Sequence, residues 1–206
     1  MNARSKETTG EMTSAEMADE ADVSLEICVL GDFVVLRKGE YLGLPPSRKT
    51  RALLAYLAVV NHPQEREHLC EMFWDVADDP RNALRWSLSK IRQIVNTKGH
   101  SALVTDRRTV VLRSQSIALD LWRIKVSMCD LASLEISELE KVARLFRGAF
   151  LEDLSLPRCP KFEAWRITGI NEVNLFKAQI LRTVIDRLGE DASRTLPYAL
   201  ALRAMD

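Results

Sequence analysis

Between Asp79 and Val95 the residues Asn82, Arg85, Trp86, Ser89, Lys90 and Gln93 recur at spacings that, at about 100° per residue, place them on one side of a helix. Their types share one chemistry. Arginine and lysine pair with the guanine edge, asparagine and glutamine with the adenine edge, and an apolar surface meets the thymine methyl. The opposite stripe carries Leu84, Leu88, Ile91 and Val95, flanked by Ser87 and Ile94, and suits only packing. A large indole turned to water is costly unless it touches something, and here its neighbours are hydrogen-bonding and cationic. A helix with such a face fits the major groove of duplex DNA. The competing reading is a solvated helix whose Trp86 packs on a neighbouring element, or a protein-binding scaffold in which Trp86 anchors a partner.

Charge favours the first reading. The chain balances 29 basic against 29 acidic residues, yet from Arg81 to Arg113 eight bases (Arg81, Arg85, Lys90, Arg92, Lys98, Arg107, Arg108, Arg113) face the single acid Asp106. A neutral whole with one basic stretch points to a local anion-binding surface. Two further clusters extend it. Arg48, Lys49 and Arg51 lie in the first turn of an expected helix, where they oppose the helix dipole, a placement that a phosphate partner would relieve. Arg107 and Arg108 stand at an expected hairpin tip, in reach of backbone phosphate or a minor groove.

Other chemistries find no constellation. His62, His68 and His100 are scattered, none spaced with a cysteine or serine for nucleophilic catalysis, and His68 with Cys70 alone is too short a motif for zinc. The glycines are single and at turns, so there is no phosphate loop. No enzyme, cofactor or metal is therefore expected. Cys28, Cys70, Cys129 and Cys159 form no CxxC pair and read as thiols in a reducing cytoplasm. No run reaches the roughly 18 apolar residues of a membrane span. Residues 1–22 carry two bases and six acids, without an apolar signal segment, and are expected to be a disordered acidic tail.

The elements that must position these residues follow from periodicity and punctuation. Leu25 to Leu30, Phe33 to Arg37 and the "YLGL" segment predict a meander of three short strands. Ser47 is placed to cap a helix from Arg48 to Val60, which Asn61, His62 and Pro63 end. A second helix is expected from about Glu65 to Trp74. Asp79 and Pro80 then form the cap and first turn of the third, which continues to Val95. Strands from Ala102 to Thr105 and Thr109 to Leu112 flank the hairpin tip. Beyond "RSQSIALD" the pattern is helical only: Leu121 to Leu131, Ser137 to Arg147 with a capping box of Ser137 and Glu140, about Lys161 to Leu188, and Asp191 to the end. Helix pairs with short connections suggest a helical-repeat unit.

In "LEICVLGDFVV", "GEYLGLPPSRKTRALLAYLAV", "REHLCEMFW" and "RNALRWSLSKIRQIV" the chain resembles the OmpR-type winged helix-turn-helix of streptomycete antibiotic regulatory proteins and their relatives. "LDLWRIKVSMCDL", "FRGAFLEDL" and "FEAW" resemble the start of the bacterial transcriptional activator domain that follows it. The resemblance implies an α+β fold: residues 23–113 a winged-helix DNA-binding domain, residues 117–206 an all-α, tetratricopeptide-like activator domain that stops short of completion. It implies transcriptional activation on double-stranded DNA, often at direct repeats, recruitment of RNA polymerase, and oligomerisation such as a homodimer. On that pattern Asn82, Arg85, Trp86, Ser89 and Lys90 face the groove, while Arg92 anchors the helix or a phosphate. Two features depart from it. Trp86 is bulkier than expected, and Gly169 interrupts the long helix at a cost of about 1 kcal/mol.

Overall fold

The computed structural model describes residues 25–97, 99–113, 117–189 and 191–205. The expected tail at residues 1–22 and Lys98 of the basic stretch lie outside the described residues. The chain is a mixed α+β protein with two small sheets and seven helices among the described residues.

The first sheet begins with the expected meander: β1 (Leu25–Cys28), β2 (Val34–Arg37) and β3 (Glu40–Tyr41). β1 and β2 pair antiparallel from Leu25 opposite Arg37 to Cys28 opposite Val34. Lys38 and Gly39 both take positive φ (55° and 79°), as the tight primed turn of a hairpin demands.

α1 (Arg48–Val60) starts where Ser47 accepts a hydrogen bond from the Thr50 N–H, and ends at Asn61 in the left-handed region. β4 (Gln64–Glu65) leads into α2 (Arg66–Trp74), and α3 (Pro80–Val95) follows. β5 (Leu103–Thr105) and β6 (Thr109–Leu112) form the hairpin, with β4 added on the β6 side in the order β4-β6-β5. β4 was not expected from sequence. Two residues carry no periodicity, and only the pairing of Gln64 with Val110 and Glu65 with Thr109 makes them a strand.

A second unexpected strand, β7 (Ile117–Leu119), lies just past the expected boundary between the two halves. It pairs parallel with β1, Leu25 opposite Ile117 and Ile27 opposite Leu119, and completes the order β3-β2-β1-β7. The chain then turns helical: α4 (Asp120–Cys129), α5 (Ile136–Ala143), α6 (Pro160–Leu188) and α7 (Ala192–Arg203). The expected capping box does not form. Glu135 occupies the cap position without a side-chain hydrogen bond, and Ser137 sits inside α5.

α5 also ends at Ala143 rather than Arg147, because the chain is needed elsewhere. Residues 147–153 run as a strap along the continuation of β1. The Arg147 N–H donates to the Leu30 carbonyl (3.0 Å), Gly31 to Ala149 (3.0 Å), Leu151 to Val29 (2.9 Å) and Glu152 to Gly31 (3.2 Å). Gly31 (φ 126°) lies against Gly148, and a Cβ on Gly31 would sit 3.1 Å from the Gly148 nitrogen, so the close approach needs glycine. Beside the strap, the buried Asp120 carboxylate accepts N–H bonds from Val29 (3.0 and 2.9 Å), Leu30 (3.0 Å) and Leu121 (2.8 Å), with the Arg147 guanidinium 3.8 Å away. Burial pushes this carboxyl up from its ordinary value, and the three N–H groups and Arg147 oppose that push.

One hydrophobic core runs through the sheet, α1 to α3 and the later helices. At its centre α1, α2, the strap and α6 meet through aromatic rings. Tyr56 lies 4.9 Å from Trp165, Phe73 5.2 Å from Phe162, and Phe150 5.7 Å from Trp165, centroid to centroid. Rings at such separations add edge-to-face attraction to their area burial. The later helices are thus packed onto α1 and α2 through an aromatic seam. Among the described residues no helix is long and apolar enough to cross a membrane, and no group of metal-ligating side chains assembles.

Candidate nucleic-acid interface

α3 is amphipathic by construction. Asp79 caps it, its carboxylate accepting the Asn82 N–H at 2.9 Å, and Pro80 occupies the first turn, where a missing N–H costs nothing. Leu84, Leu88, Ile91 and Val95 are buried, with Ser87 and Ile94 beside them. Ser87 is the one polar residue on that stripe, and its hydroxyl is satisfied at 3.0 Å by Thr50 of α1. At the far end Arg37 of β2 donates to the Ile94 carbonyl (2.6 Å). The middle and the C-terminal end of α3 are therefore tied to the rest of the core, which fixes the rotation of α3 about its axis.

With that rotation fixed, the other face is open. Asn82, Arg85, Ser89 and Gln93 are exposed, Lys90 is half-buried, and Trp86 retains 53% of its exposure. The Lys90 ammonium lies over the Trp86 ring, 5.4 Å from its centroid, within the range of a cation–π contact.

The hairpin is held beside α3. Arg92 on α3 donates to the Thr105 hydroxyl of β5, and Arg66 at the start of α2 donates through its Nε to the Asp106 carbonyl (2.9 Å). The tip itself is shaped by Asp106, whose carboxylate accepts the N–H groups of Arg108 and Thr109 (2.6 Å each) and the Thr109 hydroxyl (2.8 Å). These bonds, the Thr109 N–H first, hold the Asp106 carboxyl below its ordinary range, so the turn is built around an anion. Arg107 and Arg108 project from it, exposed. Between the tip, α2 and the first turn of α3 lies an open cleft of about 820 Å³, lined by Arg66, Arg81, Arg85, Arg107 and Arg108 together with acids that include Glu67 and Asp106.

The overall likeness to known proteins is one of fold. No protein-family model matches the sequence and no curated protein matches it. A solved structure of Mycobacterium tuberculosis EmbR, in complex with a low-affinity phosphopeptide, superposes with a TM-score of 0.59 at 18% identity. The match covers 89% of this chain and 54% of EmbR. The two share a fold. This chain accordingly spans about half the length of EmbR, and the likeness takes in both the α1 to β6 region and the later helices.

The first-turn cations of α1 have a different setting from the α3 face. Arg48 donates to the Asp153 carbonyl (2.6 Å), Arg51 lies 3.8 Å from the Asp153 carboxylate, and Lys49 acts on the buried thiol of Cys159. Asp153 in turn accepts the Phe33 N–H at 2.8 Å. Within the chain these three cations contact the strap and the segment leading into α6. The sequence reading also passed over Arg66, whose part as clamp of the hairpin depends on a partner forty residues away. Of the cysteines, Cys28, Cys70 and Cys159 are buried free thiols and Cys129 is exposed.

Proposed function

We propose that this chain binds double-stranded DNA in a sequence-dependent way, with α3 in the major groove and the β5–β6 hairpin as a wing on the adjacent backbone or minor groove. The observation that carries the proposal is the division of α3 itself. One side is fully committed to the core, and the other presents Asn82, Arg85, Trp86, Ser89 and Lys90 together outside it, with Lys90 resting on Trp86. A surface meant only for water would not combine an indole with donors suited to base edges. Ser89, short and central, lets the helix approach the base edges closely.

The wing adds charge without sequence information. Arg107 and Arg108 stand free on a tip stiffened by Asp106, and Arg92 spends its hydrogen bond on fixing the wing to α3 rather than on the groove. Phosphate contacts of this kind set register and salt dependence. The helices from α4 onward are read as a tetratricopeptide-like activator domain, and the chain as a transcriptional activator of the streptomycete antibiotic regulatory type. Recruitment of RNA polymerase, binding at direct repeats and self-association through the helical half belong to the same proposal.

Selection of bound duplexes from random DNA, at two salt concentrations, tests it. A defined site should emerge, and Arg85→Ala should relax one position of that site at a cost of about 1–3 kcal/mol. A protein that enriches no sequence at either salt is not a sequence-specific DNA binder, and Trp86 would then be sought as an anchor for a protein partner.

A further inference from the structure

Trp86 and Lys90 are one helical turn apart, and in helices long side chains lean toward the N-terminus. Lys90 therefore leans back over Trp86, and its ammonium rests 5.4 Å from the ring centroid. The contact does two things. It covers one face of the indole with a cation, and it holds a large, half-exposed ring in one orientation before any ligand arrives. A side chain ordered in advance gives up less freedom on binding. The rest of the indole, on a helix whose rotation is fixed by Ser87 and Ile94, is left with an apolar surface toward the partner.

Within a major groove the base edges offer donors, acceptors and a single apolar group, the 5-methyl of thymine. An indole nitrogen donates one hydrogen bond, and among base edges the bulk of the ring finds its best apolar partner in that methyl. Resting on the DNA-binding reading above, we infer that the Trp86–Lys90 pair is a thymine-methyl sensor, the specificity determinant for one thymine in the bound site. Asn82 and Arg85 are the polar readers beside it. Lys90 serves as a positioning residue for the ring as well as a cation near the backbone.

Uracil substitution tests this without altering the protein. In the duplex selected by the wild-type chain, each thymine is replaced singly by uracil, which removes the methyl and keeps every hydrogen-bonding group. At one position affinity should fall about fourfold, the effect of leaving one methyl group unburied. Trp86→Ala should bind the thymine and uracil duplexes equally. Lys90→Met should keep the ring but shrink the discrimination, and lower the salt slope by about one. A defined site in which every uracil is tolerated, or which contains no thymine, overturns the inference while leaving DNA binding in place. Failure to select any site removes both. Because the wild-type series stands alone, a poorly folded Trp86 variant cannot rescue or sink the idea.

Discussion

Gly169 lies in the middle of α6, where a glycine ordinarily weakens a helix by about 1 kcal/mol relative to alanine. Gly169→Ala should nonetheless destabilise the protein. A Cβ there would stand 2.5 Å from Cε1 and 2.9 Å from Cδ1 of Phe150, where carbon atoms prefer about 3.5–4.0 Å. The ring cannot swing aside freely. Phe150 is fully buried, its backbone bridges to Leu30 and its ring packs against Trp165. Overpacking of this kind costs about 1–3 kcal/mol. Set against about 1 kcal/mol of gained helix propensity, the net effect is a loss of about 1 kcal/mol. Urea unfolding of wild type, Gly169→Ala, Phe150→Leu and the double variant would measure it. The alanine should cost less beside leucine than beside phenylalanine. Stabilisation by Gly169→Ala alone, as at an open helix position, or strict additivity of the two changes, would refute the packing argument.

Three further outcomes are expected. Asp120→Ala leaves the Val29 and Leu30 N–H groups without their buried acceptor, at about 1–3 kcal/mol each, so the urea midpoint should fall steeply; an unchanged midpoint would mean that water replaces the carboxylate. Arg107→Ala with Arg108→Ala should weaken binding to all duplexes alike and flatten the dependence on salt, leaving the selected site intact; an unaltered slope counts against the wing contact. The Cys28 thiol is pushed up to about 11 from an ordinary 9.0, chiefly by burial and next by the charge of Asp120. The unfolded chain then loses this proton first, so native stability should decline as pH rises from about 9 to 11, fully retained below that window. A Cys28→Ala variant with the same decline would show that other groups cause it.

What could be read in advance was what local rules control. Ser47, Asp79 and Pro80 are short-range punctuation, and the 3.6-residue period of α1 and α3 is strong, so both helices and the two sides of α3 were legible from the residues. The hairpin was legible too, since its tip is polar and its strands β-branched. The elements that escaped are those defined by distant partners. β4 and β7 are two and three residues long and exist only through pairing with β6 and β1. The expected helix overruns its true end at Ala143 by four residues and the strap beyond it is invisible in sequence, because Arg147, Ala149 and Leu151 signal nothing until Val29 to Gly31 lie alongside. Gly169 looked like a flaw for the same reason, its cause being the ring of Phe150. The cations of α1 are visible as charge, but the contacts of Arg48 and Arg51 with Asp153, about a hundred residues on, are not.

The placement of α3 against base edges can be observed by cross-linking. Cys129 is the exposed thiol among the described cysteines, so Cys129→Ser provides a quiet background. Into it Ser89→Cys is introduced at the centre of the open face and labelled with a short photoactivatable group, and the protein is bound to its selected duplex. Irradiation should join Ser89→Cys to bases inside the site, while a label at Lys125→Cys, exposed on α4 and no part of the α3 face, joins none. Cross-links that spare the bases, or that fall only on protein when duplex is bound, would contradict the account.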